Sequence, residues 1–66
     1  MKLNNKLAQL RLNNGYSKYY VAQKLNLSPS TVTNIENGVY APRLDTLIKM
    51  ASLYGLSADE LLKEAV

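Results

Sequence analysis

The chain has 66 residues and a formal net charge of +3, which is enough length for one domain with a single small hydrophobic core. It contains no cysteine and no histidine, which excludes disulfides and thiolate metal sites and removes the commonest general base. We therefore expect no enzyme, no metal and no cofactor. Residues 1–49 carry seven basic and two acidic side chains, whereas residues 50–66 carry one basic and three acidic ones, a distribution that favours a polyanionic partner on one side.

Apolar periodicity and three glycines predict an all-α chain. Gly15, Gly38 and Gly55 each follow an apolar-periodic segment, at the point where a helix ends with one residue in the left-handed conformation. No run alternates apolar and polar residues for long enough to indicate a strand. The first helix is expected over about residues 4–13, with Leu3, Leu7, Ala8 and Leu10 on its inner side.

The segment from Ser17 to Gly38 predicts two short helices joined by a tight turn. Ser17 is a good N-cap for the second helix, and Asn26 tolerates the left-handed geometry that such a turn demands. Ser28 then caps the third helix, with Pro29 as its first residue. This helix-turn-helix unit spans about residues 17–37 of one domain, residues 1–66.

Two further helices are expected in the last third of the chain. The fourth spans about Leu44–Leu53, and its buried residues are expected to be Leu44, Leu47, Ile48 and Ala51. Ser57 caps the last helix, which runs to about residue 65, and Glu60 completes a capping box. Tyr16 and Tyr54 occupy apolar positions, so we expect core rings with hydroxyls at the surface.

The third helix has a face of uncharged hydrogen-bonding side chains. On a helical wheel, Ser30, Thr33, Asn34 and Asn37 fall together, opposite the inward-facing Thr31, Val32 and Ile35. Asparagine matches the donor and acceptor of adenine, and threonine and serine suit several bases. Ser30, Thr33 and Asn34 are therefore candidates for base contact. A solvated polar face is the alternative interpretation.

Phosphate contacts are predicted where helices begin. Ser17, Lys18 and Ser28 lie at helix N-termini, where backbone N–H groups and a positive partial charge favour anions. These residues would orient the domain on DNA, while basic side chains supply most of the affinity.

The motif positions extend beyond this unit along nearly the whole chain. They are Leu10, Arg11, Tyr16, Ser17, Val21, Ala22, Leu25, Leu27, Ser28, Thr31, Val32, Ile35, Glu36, Gly38, Pro42, Leu44, Leu47, Ala51, Gly55, Ser57, Leu61 and Leu62. In order and spacing they resemble the helix-turn-helix domains of the Cro and phage-repressor type, also called the xenobiotic-response-element family.

The resemblance implies a compact five-helix bundle of the lambda-repressor-like type, with the third helix as recognition helix. The positions that match base contacts are Pro29, Ser30, Thr33 and Asn34. Those that match phosphate contacts are Lys18, Ser28, Asn37, Tyr40 and Arg43. It also implies a structural ion pair between Arg11 and Glu36. Tyr19 and Tyr20 depart from the family pattern, and packing, a DNA backbone contact and a protein-partner surface all remain open for them.

A homodimer is expected because one recognition helix specifies only a few base pairs. Two copies would place their recognition helices about 34 Å apart on an inverted-repeat operator. The predicted interface is the surplus of apolar residues near the C-terminus, namely Leu53, Leu56, Leu61, Leu62 and Val66, although these residues could instead fill the core of one chain.

The predicted function is sequence-specific binding of double-stranded DNA by a transcriptional regulator, with repression as the expected outcome. The alternative is an antitoxin-like or other protein-interaction module with secondary DNA binding. The first six residues lack the apolar run of a signal peptide and no segment suits a bilayer, so we expect a cytoplasmic protein without a membrane partner. No pocket-forming segment indicates a small-molecule ligand.

Overall fold

Five α-helices form the chain in the computed structural model, which describes residues 2–64, with side chains as far as residue 63. The helices are α1 (Leu3–Asn13), α2 (Lys18–Leu25), α3 (Pro29–Glu36), α4 (Leu44–Leu53) and α5 (Ala58–Glu64). The predicted all-α architecture is confirmed. Among these helices none has the length and apolar character needed to cross a membrane.

Three serine side chains fix the starts of α2, α3 and α5. Ser17 Oγ accepts from the Tyr20 N–H at 3.0 Å, and Ser28 Oγ accepts from the Thr31 N–H at 3.2 Å. At α5, Ser57 Oγ accepts from the Glu60 N–H at 3.1 Å, while the Glu60 carboxylate accepts from the Ser57 N–H at 3.3 Å. The sequence predicted all three caps, because the donor and acceptor lie three residues apart.

The first four helices end with the same backbone motif. At each end an N–H bonds to the carbonyl five residues earlier, over 2.8–3.1 Å; the donors are Tyr16, Leu27, Val39 and Leu56. This closure needs a left-handed residue just before the donor. Glycine supplies it three times, and Asn26 supplies it after α2 with φ of 59°.

The core lies between the helices and includes one side chain that the sequence analysis missed. Its members are Leu7, Val21, Ala22, Leu25, Val32, Ile35, Leu47, Met50, Ala51, Tyr54 and Leu61. In α4 the buried positions are Leu47, Met50 and Ala51, which form one arc of the helix. Because Met50 occupies the core, Leu44 and Ile48 face outward and are 69% and 51% exposed. Their predicted burial is wrong.

Three of the five tyrosines form a partly buried aromatic group. The Tyr16 ring lies 4.7 Å from the Tyr20 ring and 6.3 Å from the Tyr54 ring, between centroids. Tyr54 was expected to place its hydroxyl at the surface, but that oxygen is buried and has no hydrogen-bond partner among the described residues. Burial, reinforced by the nearby negative charge of Glu36, raises the pKa of Tyr54 to about 12. Tyr19 extends into solvent.

Candidate nucleic-acid interface

Helix α3 is held to the domain by one side and presents the other to solvent. Val32, Ile35 and Glu36 are buried, and α3 packs against both α2 and α1. Ser30 and Asn37 are exposed, and Thr33 and Asn34 are partly exposed. The helical-wheel assignment therefore describes the helix as it is folded, with a polar strip along its outer side.

The polar strip contains two kinds of side chain. Within the part of the chain that the structure describes, Thr33, Asn34 and Asn37 make no side-chain hydrogen bond. Ser30 differs, because its Oγ lies 3.0 Å from Ser28 Oγ. The amides of Asn34 and Asn37 thus present both a donor and an acceptor to any partner.

Ser28 links three hydroxyl groups at the start of α3. Its Oγ accepts from the Thr31 N–H and lies 3.0 Å from Ser30 Oγ and 2.8 Å from Thr31 Oγ1. A hydroxyl has one proton to donate, so the Ser28 proton can go to only one of its two neighbours. When Ser30 donates to Ser28, it offers only acceptor lone pairs outward. When it receives the Ser28 proton, its own hydrogen is available to a base.

A buried ion pair joins α1 to the end of α3. Arg11 Nε donates to Glu36 Oε2 at 2.8 Å and Nη2 donates to Oε1 at 3.1 Å, while Nη1 donates to the Tyr16 carbonyl at 3.0 Å. The hydrogen bond to Glu36 raises the pKa of Arg11 even though burial opposes the charge. The pair that the resemblance implied is formed, and its side chains are only 11% and 4% exposed.

Asn4 is a second long-range contact of α3, and the sequence analysis did not find it. Its Nδ2 donates to the Glu36 carbonyl at 3.2 Å, so a side chain of α1 satisfies a backbone acceptor at the end of α3. A Cβ at Gly38 would lie 3.2 Å from the same Nδ2. No local signal marks Asn4, because its partner is 32 residues away.

The predicted phosphate-contacting residues are distributed over three elements. Lys18 is the first residue of α2, after its N-cap Ser17. Tyr40 lies in the α3–α4 loop and Arg43 ends that loop as the N-cap of α4; both line a cleft of about 130 Å³ together with Thr31 of α3. The Arg43 side chain is 89% exposed, and its Nε is 3.8 Å from Asp45 Oδ1. An exposed pair of this length holds Arg43 only weakly.

The leucines expected at a dimer interface occupy different environments. Leu61 is fully buried in the core of its own chain, so it offers no surface to a second copy in this arrangement. Leu53 and Leu56 are partly buried against that core, and Leu62 is 42% exposed. Val66 lies outside the described residues. The core of one chain therefore accounts for most of this apolar surplus.

The described side chains offer no site for a metal ion. Within the described residues there is no group of three acidic side chains placed to hold one. The acidic residues Asp59 and Glu60 lie in the first turn of α5, where their negative charge interacts favourably with the positive end of the helix dipole.

Comparison with known proteins agrees with this geometry. A family model described as helix-turn-helix matches residues 7–61. The HTH-type transcriptional regulator ImmR of Bacillus subtilis is 37% identical over 62 residues, which cover 94% of this chain and 49% of ImmR. The chain thus spans about half the length of that relative.

Two solved structures have the same fold over more than nine tenths of the chain. SinR, described as the master regulator for biofilm formation, in complex with DNA, has a TM-score of 0.81 at 26% identity and covers 91% of this chain and 97% of that one. SinR in its complex with SinI has a TM-score of 0.83 at 27% identity and covers 94% of this chain and 61% of that one.

Proposed function

Since the chain belongs to the helix-turn-helix family, we propose that it binds double-stranded DNA sequence-specifically and regulates transcription. The observation that carries this proposal is the outer strip of α3, where Thr33, Asn34 and Asn37 leave their polar groups without partners in the described structure. ImmR is described as a transcriptional regulator, and SinR has been solved in complex with DNA. Both descriptions support the assignment for this chain.

In the proposed complex, α3 lies in the major groove. Asn34 would bind adenine through N6 and N7, and Thr33 and Ser30 would contact neighbouring base edges. Pro29 offers an apolar contact at the start of the helix. Ser17, Lys18, Ser28, Asn37, Tyr40 and Arg43 would contact the phosphate backbone, which orients the domain without selecting a sequence.

Repression by a homodimer on an inverted-repeat operator is the more specific form of the proposal. Three or four base-contacting side chains on an eight-residue helix specify too few base pairs to define a unique site. Two copies related by a two-fold axis would double that number and fix the half-site spacing at about 34 Å. A dimer bound across a promoter would then repress by excluding the polymerase.

A protein partner is a second candidate role, and one observation favours it. Tyr19 is 75% exposed at the start of α2, and large exposed aromatic side chains are common at protein interfaces. SinR is described in complex with SinI. A partner of this kind would control DNA binding rather than replace it.

Selection of binding sites from random double-stranded DNA tests the proposal directly. An enriched inverted repeat, with affinity that falls steeply with salt, is the expected result. On that site, Asn34→Ala should relax the preference at one base position by about 1–3 kcal/mol. Lys18→Ala should weaken all sequences alike and reduce the salt slope by about 1. Equal affinity for all duplexes would contradict the proposal.

A further inference from the structure

Helix α4 exposes two large apolar side chains that the core does not use. Leu44 and Ile48 are 69% and 51% exposed, and their spacing of four residues places them side by side on one helix face. The buried arc of the same helix is already occupied by Leu47, Met50 and Ala51. We call Leu44 and Ile48, with Arg43 and Asp45 on either side of Leu44, the α4 face.

The charges of the α4 face are suited to a second copy of the same face. The side chains of Arg43 and Asp45 are 89% and 68% exposed, and the distance between Arg43 Nε and Asp45 Oδ1 is 3.8 Å. Because an exposed ion pair of this length is weak, both side chains can form an ion pair with another partner. A two-fold interface brings one patch against itself and must therefore be self-complementary. An apolar centre with one charge of each sign meets that requirement. The Arg43 guanidinium has five N–H donors, so it can donate to Asp45 of the other copy while it also contacts a phosphate.

The position of the α4 face fits two copies on one DNA molecule. Recognition helices in successive turns of the major groove lie about 34 Å apart, whereas the domain measures 26 × 23 × 21 Å. Two such domains meet only along their edges. The first turn of α4 lies beside the recognition helix, because Arg43 and Thr46 line the same cleft as Thr31 and Ile35 of α3; the inference assigns the edge contact to this turn.

The surface of the chain limits the strength of this contact. A stable interface covers about 800 Å² on each partner, roughly a fifth of the 4180 Å² of accessible surface here. An edge with two exposed aliphatic side chains provides less than that. The contact is therefore expected to be weak in free solution and to gain strength when DNA holds both copies close together.

We infer that the α4 face binds the α4 face of a second copy when two copies occupy adjacent half-sites, and that this contact makes their binding cooperative. The inference rests on the proposed function and names the surface that the dimer uses. It is an alternative to the predicted interface of C-terminal leucines, of which Leu61 is fully buried in its own chain.

The test compares a duplex with one half-site and a duplex with two, using sites obtained by selection. For the unchanged protein, the second half-site should tighten binding by about tenfold or more beyond independent binding. Leu44→Glu and Ile48→Glu should each abolish this gain and leave single half-site affinity within about twofold. Leu12→Glu is the matched control, since Leu12 is 64% exposed on α1; it adds the same charge and should retain cooperativity.

Failure of the inference is distinguishable from failure of the proposed function. Specific binding to one half-site without cooperativity at any spacing, or cooperativity that survives Leu44→Glu and Ile48→Glu, would overturn the inference alone. If no duplex is bound specifically, sedimentation equilibrium at high protein concentration tests whether the α4 face joins two copies. A dimer that is weakened by Ile48→Glu but not by Leu12→Glu supports the α4 face as the contact between copies. A monomer at all concentrations overturns the inference, and a different protein would then be the candidate partner of the α4 face.

Discussion

Replacing Glu36 by glutamine should destabilise the domain severely, because it leaves the Arg11 guanidinium buried without a counterion. The two side chains are 11% and 4% exposed, and breaking a buried pair from one side costs about 3–5 kcal/mol. A 66-residue chain has a total free energy of unfolding of about 3–10 kcal/mol. The variant is therefore expected to lose a third or more of its stability.

The double variant Arg11→Met/Glu36→Leu separates the value of the pair from the cost of breaking it. Replacing both partners by apolar side chains of similar size is often neutral for stability, so most of the loss should be recovered. Arg11 also donates to the Tyr16 carbonyl at 3.0 Å, and losing that bond should leave a remaining cost of about 1 kcal/mol. This residual cost assigns Arg11 a second role, which is to anchor the end of α1.

Urea unfolding followed by circular dichroism gives the free energies of unfolding of the unchanged chain, Arg11→Met, Glu36→Leu and the double variant, which are the four members of the double-mutant cycle. Glu36→Gln is measured beside them in the same assay. The expected coupling between Arg11 and Glu36 is about 2 kcal/mol or more. Two results would refute the reasoning: a loss below about 1 kcal/mol in Glu36→Gln, or strictly additive losses in the double variant. DNA affinity of the folded double variant is a useful second measurement, because an intact α3 should keep its base preference.

Three smaller perturbations test other parts of the structure. Tyr54→Phe removes a buried hydroxyl that has no partner in the described part of the chain and should raise the free energy of unfolding by about 1 kcal/mol, a gain of about 4–8 °C in melting temperature. The pKa of Tyr54 is about 12 in the folded chain, above its ordinary value of 10.0, so the phenol is protonated when folded and ionised when unfolded between those values. Ionisation of this phenol does not affect the free energy of unfolding below pH 10, and it lowers that free energy as pH rises towards 12, by at most about 3 kcal/mol; Tyr54→Phe should lack that part of the fall in a urea series run from pH 9 to 12. Asn26→Ala should cost about 1 kcal/mol because φ is 59° at this residue, whereas Asn26→Gly should be nearly neutral, and equal losses in a thermal melt would argue against a strained turn. Ser28→Ala removes the cap of α3 and should cost about 1 kcal/mol in the same assay, and an unchanged melting temperature would mean that water replaces the cap.

Local chemistry made much of the fold predictable from the sequence. A cap joins residues three positions apart, and the left-handed residue that ends a helix is a glycine or asparagine in the same turn. The start of α3 and the turn before it were therefore predictable from Ser28, Pro29 and Asn26. Helix α4 also begins and ends at the residues that the apolar periodicity predicted. Each of these features depends only on neighbours along the chain.

Features that depend on distant contacts were not predictable in this way. Leu44, Ile48 and Met50 are all apolar, and only the packing of the other helices decides which of them face the core. The contact from Asn4 to the Glu36 carbonyl spans 32 residues. The Ser28–Ser30 contact changes the hydrogen-bonding role of a predicted base-contacting residue, and it depends on rotamers that composition does not determine.

The division of α3 into two sides would allow such a small domain to combine a stable core with the proposed base-contacting surface. Stability depends on Val32, Ile35 and Glu36, which are buried, whereas Thr33 and Asn34 make no side-chain hydrogen bond among the described residues. Substitutions at the outer positions should therefore change base preference with little loss of stability, usually within about 0.5 kcal/mol for surface positions. Ser30 is coupled to the cap through Ser28, so Ser30→Ala should alter both properties together. A combined measurement of melting temperature and base preference for Ser30→Ala and Thr33→Ala tests this division. Equal loss of stability in the two variants would show that the outer side is also structural.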